Sequence, residues 1–315
     1  MFSIKQPKEI VFGKNSANTY KYPENSLIIT SPGAEKRNWL EYLQPKNYCI
    51  FDKVEPNPSI DITTDIINEF RSTNFLNVIG IGGGSCLDVA KFVASKLDKK
   101  KILIPTTFGS GSDVTRISVL SVNGKKKSFH DDKLFADVSI IDSNFLLNTP
   151  DQIKKNSAID ACAQCSEAYD SKSGNKYTEF ICKTAFENLE SGIINNNDEQ
   201  LVFGSMLSGL GFGNSSTTLG HALSYVFSNE GIAHGHALAY TTTAAHKFNN
   251  SQFYERFSKI MKKLNFPHIQ LEQNLEEAAL TILEDRKHLD NNPKPITKND
   301  IVELLMTINF HNTST

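Results

Sequence analysis

What this chain can fold into is constrained most by an alternation that stops. Up to about Pro150, short apolar runs at residues 26–30, 48–51, 77–81, 102–104 and 138–142 alternate with helix-like stretches such as 60–72 and 86–97. Most of the runs are bounded by Gly, Pro, Asn or charged residues, as strands are. Strands alternating with helices predict a mainly parallel sheet covered on both faces. Beyond Pro150 only helical patterns remain, over 151–168, 176–193, 200–211, 253–264 and 271–284. A turn at Asn292-Pro293-Lys294-Pro295 then leads to a last short helix with Thr297 as its N-cap. The fold class read from this is an α/β N-terminal domain with a Rossmann-like parallel sheet, residues 1–150, followed by an all-α domain, residues 151–315. A ligand cleft is expected between the two.

A length of 315 residues suits two domains. The net charge of −2 provides no broad basic field, which argues against a nucleic-acid partner. Lys125-Lys126-Lys127 reads as a solvated loop beside Asp131 and Asp132. An odd count of five cysteines without a framework spacing points to reduced thiols and a cytoplasmic protein. Cys162 and Cys165 form a CxxC without the second pair of a zinc knuckle, so they read as small packing residues. The start, MFSIKQPKEIVFG, has no apolar h-region, and no run approaches the ~18 apolar residues of a membrane span, so no membrane role is expected.

Two loops carry phosphate-binding character. Gly80-Ile81-Gly82-Gly83-Gly84-Ser85 follows a strand and opens a helix, so backbone N–H groups can approach a pyrophosphate without Cβ obstruction. Its fit to the dinucleotide fingerprint is imperfect, because Ser85 stands in place of a third glycine and no acid ends the next strand. Ser85 with Asp88 also reads as a capping box. The second loop, Pro105 to Asp113, is rich in hydroxyls and glycines at the carboxyl end of a strand, where open α/β sheets bind ligands. In the second half, Asp160 and Gln164 lie one helical turn apart, and His221 and His234 follow on a segment framed by Gly220, Gly231 and Gly235. A carboxylate and two imidazoles suit a divalent cation and leave positions open for a substrate oxygen.

Taken together, Gly82 through Lys91, Pro105 through Thr115, Asp160 through Glu167 and His221 through Gly235 resemble the iron-dependent (group III) alcohol dehydrogenase family, whose fold is shared with dehydroquinate synthase and glycerol dehydrogenase. Phe12-Gly13, Pro56-Asn57-Pro58 and Asn292-Pro293 are weaker echoes. The resemblance implies that Gly82, Gly83, Gly84 and Ser85 hold the cofactor pyrophosphate, that Asp88 lies on the nicotinamide side, and that Thr106, Thr107 and Ser110 line the cofactor cleft. It implies metal-ligand positions at Asp160, Gln164, His221 and His234, for Fe2+ or Zn2+. Three departures stand out: Gln164 replaces a histidine, Tyr225 replaces another, and the helical half looks short.

Gln164 with His221-Ala222-Leu223-Ser224-Tyr225 looks most like the branch of phosphonoacetaldehyde reductases, with succinate semialdehyde and 4-hydroxybutyrate enzymes nearby. The expected activity is reduction of a small aldehyde with an anionic tail to its primary alcohol, with Tyr225 or His236 as proton relay and Arg116 or Lys126 meeting the tail. Thr30-Ser31-Pro32-Gly33 lacks the acid of NAD-specific sites, and Lys36 and Arg37 follow, so the reading favours NADPH over NADH. A homodimer is expected. The alternatives are a dehydroquinate synthase-like lyase or cyclase, and a catalytically weak binding protein that keeps the fold.

Overall fold

The computed structural model describes residues 1–147 and 149–310. The chain divides into two compact units: Lys5–Thr149, and the chain from Pro150 onward grouped with Met1–Ile4. The first four residues thus fall outside the unit to which a division at 150 assigns them.

In chain order the first unit contains β1 (Glu9–Phe12), α1 (Ser16–Thr19), β2 (Ser26–Ile29), α2 (Trp39–Leu43), β3 (Tyr48–Phe51), α3 (Ile60–Glu69), β4 (Asn77–Gly82), α4 (Gly84–Lys96), β5 (Lys100–Pro105), β6 (Ile117–Val122), β7 (Lys125–His130) and β8 (Val138–Ile141). Six of these strands form one parallel sheet in the order β1-β8-β5-β4-β2-β3. From β2 the chain steps outward to β3, and from β4 it steps outward the other way to β5. The carboxyl ends of β2 and β4 therefore flank a topological switch point, where open α/β sheets hold ligands.

The central strands are apolar throughout because both of their faces are covered. Ile28, Ile79, Ile81, Ile102, Ile104 and Ile140 pack on one side. Leu27, Val78 and Leu103 pack against Leu87, Ala90 and Val93 of α4 on the other. Gly80 lets α4 come close, since a Cβ there would stand 2.6 Å from the Ala90 Cβ.

The solvated loop expected at 125–127 is instead strand β7, paired antiparallel with β6. The connecting Asn123-Gly124 has φ of 51° and 76°, the conformation of a tight hairpin turn. That local turn preference outweighs the strand-disfavouring lysines, which stay exposed.

The second unit is helical among the described residues: α5 (Asp151–Asp170), α6 (Lys176–Asn195), α7 (Asp198–Ser215), α8 (Leu219–Asn229), α9 (His234–Asn249), α10 (Tyr254–Leu264), α11 (Leu275–Leu283), α12 (Arg286–Asn291) and α13 (Lys298–Asn309). Helix α5 is the axis, packed against α6, α7 and α9. Small residues allow this: Ala161, Cys162, Ala163, Cys165, Ser166 and Ala168 are all buried. Cys162, Cys165 and Cys182 are free, with burial pushing their thiols upward, as packing residues rather than reactive ones. Thr297 caps α13 and Asp300 completes the capping box. No described helix is long and apolar enough to cross a membrane.

Candidate functional site

Each unit contributes one constellation. In the first, the chain leaves β4 through Gly82, whose φ of +146° suits glycine, and a Cβ there would meet Cys86 Sγ at 2.6 Å. Gly83 is the N-cap of α4, and no side chain caps the helix. The first-turn N–H groups and the positive end of the helix dipole thus remain for an anion. The expected Ser85–Asp88 capping box does not form, because the helix begins at Gly84 and Ser85 already lies inside it.

The loop after β5 lies against this turn. Thr106 N donates to Gly82 O at 3.0 Å. Thr107 Oγ1 sits 3.2 Å from where a Gly83 Cβ would stand, and Ser110 Oγ 3.0 Å from that of Gly84. Two of the expected cofactor hydroxyls thus border the two glycines that any side chain would crowd. Asp88 is engaged inside the unit. Its carboxylate accepts from Ser112 Oγ at 2.6 Å and Val119 N at 3.0 Å, and pairs with Lys91 Nζ at 3.0 Å. Lys91 is wholly buried and also donates to Ser112 O at 2.8 Å and to Ile117 O. Burial lowers its pKa, while Asp88 and Asp113 pull the other way. The pair ties α4 to the loop.

At the end of β2, Arg37 donates to Ser31 Oγ at 2.9 Å and Pro32 O at 3.0 Å, with its guanidinium 4.1 Å over the Trp39 ring. A cation is therefore fixed beside the switch point. Arg116 instead pairs with Asp132 at 2.7 Å, and Lys126 lies on β7.

In the helical unit, α5 presents Asp160, α8 presents His221 and α9 begins with His234. One ligand atom from each lies within 4.8 Å of the others. His221 Nε2 is 3.8 Å from Asp160 Oδ1. Behind it, Nδ1 contacts Glu167, which also accepts from Thr218 N at 3.3 Å, Thr218 Oγ1 at 3.0 Å and Gly220 N. Burial opposes charge on both Glu167 and His221. Their mutual attraction wins, holding Glu167 below and His221 above its ordinary pKa. Glu167 thereby fixes the tautomer that turns Nε2 toward Asp160. A carboxylate oxygen and two imidazole nitrogens brought together in this way fit a divalent transition ion.

Gln164 is 5% exposed, with Nε2 2.8 Å from Asp160 Oδ1 and Oε1 3.5 Å from Ser208 Oγ. Tyr225 stacks on His234 at 6.1 Å between ring centres, and burial raises its hydroxyl pKa. His236 is a correction. Two residues after His234 it points elsewhere around α9, bonded to Pro267 O at 2.6 Å and stacked on Phe266. That placement suits a structural role and not a relay.

Sequence reasoning did not single out Glu167, His288 or Asp285. Glu167 was within reach, seven residues after Asp160 and so on the same helix face. His288, bonded to Asp285 at 2.6 Å, has its ring 6.3 Å from His221 and 5.9 Å from Tyr225. No local spacing announces it, because only the packing of α12 against α8 brings it there.

The model of the iron-containing alcohol dehydrogenase family matches residues 7–143, and that of the family's C-terminal part matches residues 154–284. Long-chain-alcohol dehydrogenase 1 of Geobacillus thermodenitrificans is 32% identical over 249 residues, covering 68% of this chain, which spans 63% of that protein's length. The 4-hydroxybutyrate dehydrogenase of Clostridium kluyveri is 27% identical, with 78% of this chain and 82% of that protein covered. The solved sulfoacetaldehyde reductase from Bifidobacterium kashiwanohense, in complex with NAD+, has the same fold, with a TM-score of 0.88 at 21% identity over 99% of this chain and 100% of that one.

Proposed function

The chain belongs to the iron-containing alcohol dehydrogenase family, and from that premise we propose that it is a nicotinamide-dependent oxidoreductase that reduces a small aldehyde to its primary alcohol. The observation that carries the reading is the meeting of Asp160, His221 and His234, with Glu167 buttressing His221. Asp160, Gln164, His221 and His234 hold one divalent cation, Fe2+ or Zn2+. When bound, the cation supplies a Lewis acid for the carbonyl oxygen and the reduced nicotinamide supplies the hydride. The chain's own residues bind and orient. Gly82, Gly83, Gly84 and Ser85 hold the pyrophosphate on the backbone of the turn, with Thr106, Thr107 and Ser110 beside it. Tyr225, its hydroxyl kept protonated by burial, holds the proton at Oη that the product oxygen needs.

The substrate proposed carries an anionic tail, of the phosphonoacetaldehyde or succinate semialdehyde type. Two relatives are named for substrates of that kind, 4-hydroxybutyrate and sulfoacetaldehyde. NADPH is the proposed cofactor, because Arg37 is fixed at the end of β2 where the 2′-phosphate of a dinucleotide lies. We further propose a homodimer in the cytoplasm.

The test is oxidation of NADPH and NADH across a panel of small aldehydes, with phosphonoacetaldehyde, succinate semialdehyde and uncharged controls, before and after metal stripping. Activity on an anionic aldehyde that disappears on stripping and returns with Fe2+ or Zn2+ is expected. Full activity of the stripped protein overturns the metal role, and a strong NADH preference overturns the cofactor assignment.

A further inference from the structure

We propose that Ser208 turns the Gln164 side chain so that its carbonyl oxygen, and not its NH2 group, faces the cation. Ser208 is then the positioning residue for an oxygen ligand. This rests on the reading that Asp160, His221 and His234 hold a divalent ion.

The argument is one of counting protons. Ser208 Oγ is fully buried on α7, 2.8 Å from Ala161 O and 3.5 Å from Gln164 Oε1. A hydroxyl has one proton to donate and two lone pairs. The carbonyl at 2.8 Å takes the proton, and 3.5 Å is too long for a strong bond. Toward Gln164, Ser208 therefore offers lone pairs, and only the amide NH2 can use them. On its other side the amide stands 2.8 Å from Asp160 Oδ1, an acceptor that also calls for NH2. The two neighbours compete for the same end of one amide.

A cation resolves the competition. It neutralises the carboxylate and lets two oxygens approach each other as ligands of one ion. The isosteric amide can then make a half-turn, with its oxygen on the ion and its NH2 donating to Ser208. The donor set becomes two oxygens and two imidazole nitrogens, and each buried polar atom of Gln164 is satisfied. Without the Ser208 lone pairs, the turned amide would strand its NH2 in a site where Gln164 is only 5% exposed.

The test is a double-mutant cycle on Zn2+ affinity, measured by chelator competition on the full chain, with melting temperatures recorded for every variant. Ser208→Ala is expected to weaken binding roughly three- to tenfold and Gln164→Ala roughly tenfold or more. The double variant should be no weaker than Gln164→Ala alone, because Ser208 acts through Gln164. Ser208→Thr, which keeps the hydroxyl, should restore affinity. In 15N spectra, the side-chain NH2 pair that Gln164→Glu removes should shift on adding Zn2+, and lose that shift in Ser208→Ala. Additive losses, an unchanged Ser208→Ala affinity, or an NH2 pair indifferent to Zn2+ would each overturn the proposal. His221→Ala separates the two levels. If it binds Zn2+ as tightly as the parent, the metal site itself is wrong; if it loses Zn2+ while the cycle is additive, only the Ser208 role is wrong.

Discussion

Replacing Glu167 by Gln changes one atom and should cost the metal site most of its affinity. The carboxylate is 2% exposed and receives His221 Nδ1, Thr218 N, Thr218 Oγ1 and Gly220 N. Three of these four partners are obligatory donors when Nε2 is to bind a metal, and Thr218 Oγ1 alone can also accept. An amide has one oxygen, so it cannot receive donors at both ends. If the oxygen serves Thr218 Oγ1 and Gly220 N, the NH2 faces Nδ1. Nδ1 must then accept, and the ring proton moves to Nε2, where it blocks the metal. If the amide turns the other way, the NH2 meets the Gly220 N–H. Losing such a partner typically weakens metal binding 10–100-fold. Both orientations fail here, so the upper end applies, about 100-fold or about 2.7 kcal/mol. Chelator competition with Zn2+ on Glu167→Gln and the parent, at equal ionic strength, measures this. An affinity within threefold of the parent would refute the claim that Glu167 sets the His221 tautomer.

Two other outcomes follow from packing and burial. His246 is buried, bonded to Ser166 Oγ at 2.8 Å, and burial pushes its pKa from the ordinary 6.5 down to about 4. The unfolded chain takes up this proton from pH 6.5 downward and the folded chain does not, so stability is lost as pH falls from 6.5 to 4, by about 3 kcal/mol at the end. Asp170, 3.9 Å away and raised by burial to about 6, works the opposite way and offsets part of this. His246→Gln should therefore lose less melting temperature than the parent between pH 7 and pH 5; equal losses would contradict the assignment. Gly80→Ala places a Cβ 2.6 Å from Ala90 and 3.1 Å from Leu103, and should destabilise the α/β unit by about 1–3 kcal/mol in denaturant unfolding. A change below about 0.5 kcal/mol would mean that α4 is not held that closely.

What could be read in the sequence depended on whether the signal was local. The inner strands β2, β4, β5 and β8 carry apolar runs because both faces are buried, and the edge strand β3 has the run Tyr48-Cys49-Ile50-Phe51, so these five stood out. Strand β1, at the other edge, has only the short run Ile10-Val11-Phe12, read as an echo at Phe12-Gly13 and not as a strand, and the lysine-rich β7 carries no apolar run and becomes a strand through its pairing with β6. The ligand residues were visible as types that suit a cation, one turn apart on α5 and near the starts of two helices. Of their partners, Glu167 was within reach on α5, but Ser208 and His288 were not. Ser208 and His288 matter only through α7 and α12, whose packing against α5 and α8 no spacing encodes. Ser85 misled because a glycine N-cap needs no side chain, and a serine two residues later looks like a better cap.

The most direct test of the central claim is an anomalous-scattering map from crystals of the protein loaded with Zn2+. The account predicts one strong peak bounded by Asp160 Oδ1, His221 Nε2, His234 and Gln164. No peak there, or a peak held by other residues, would contradict it.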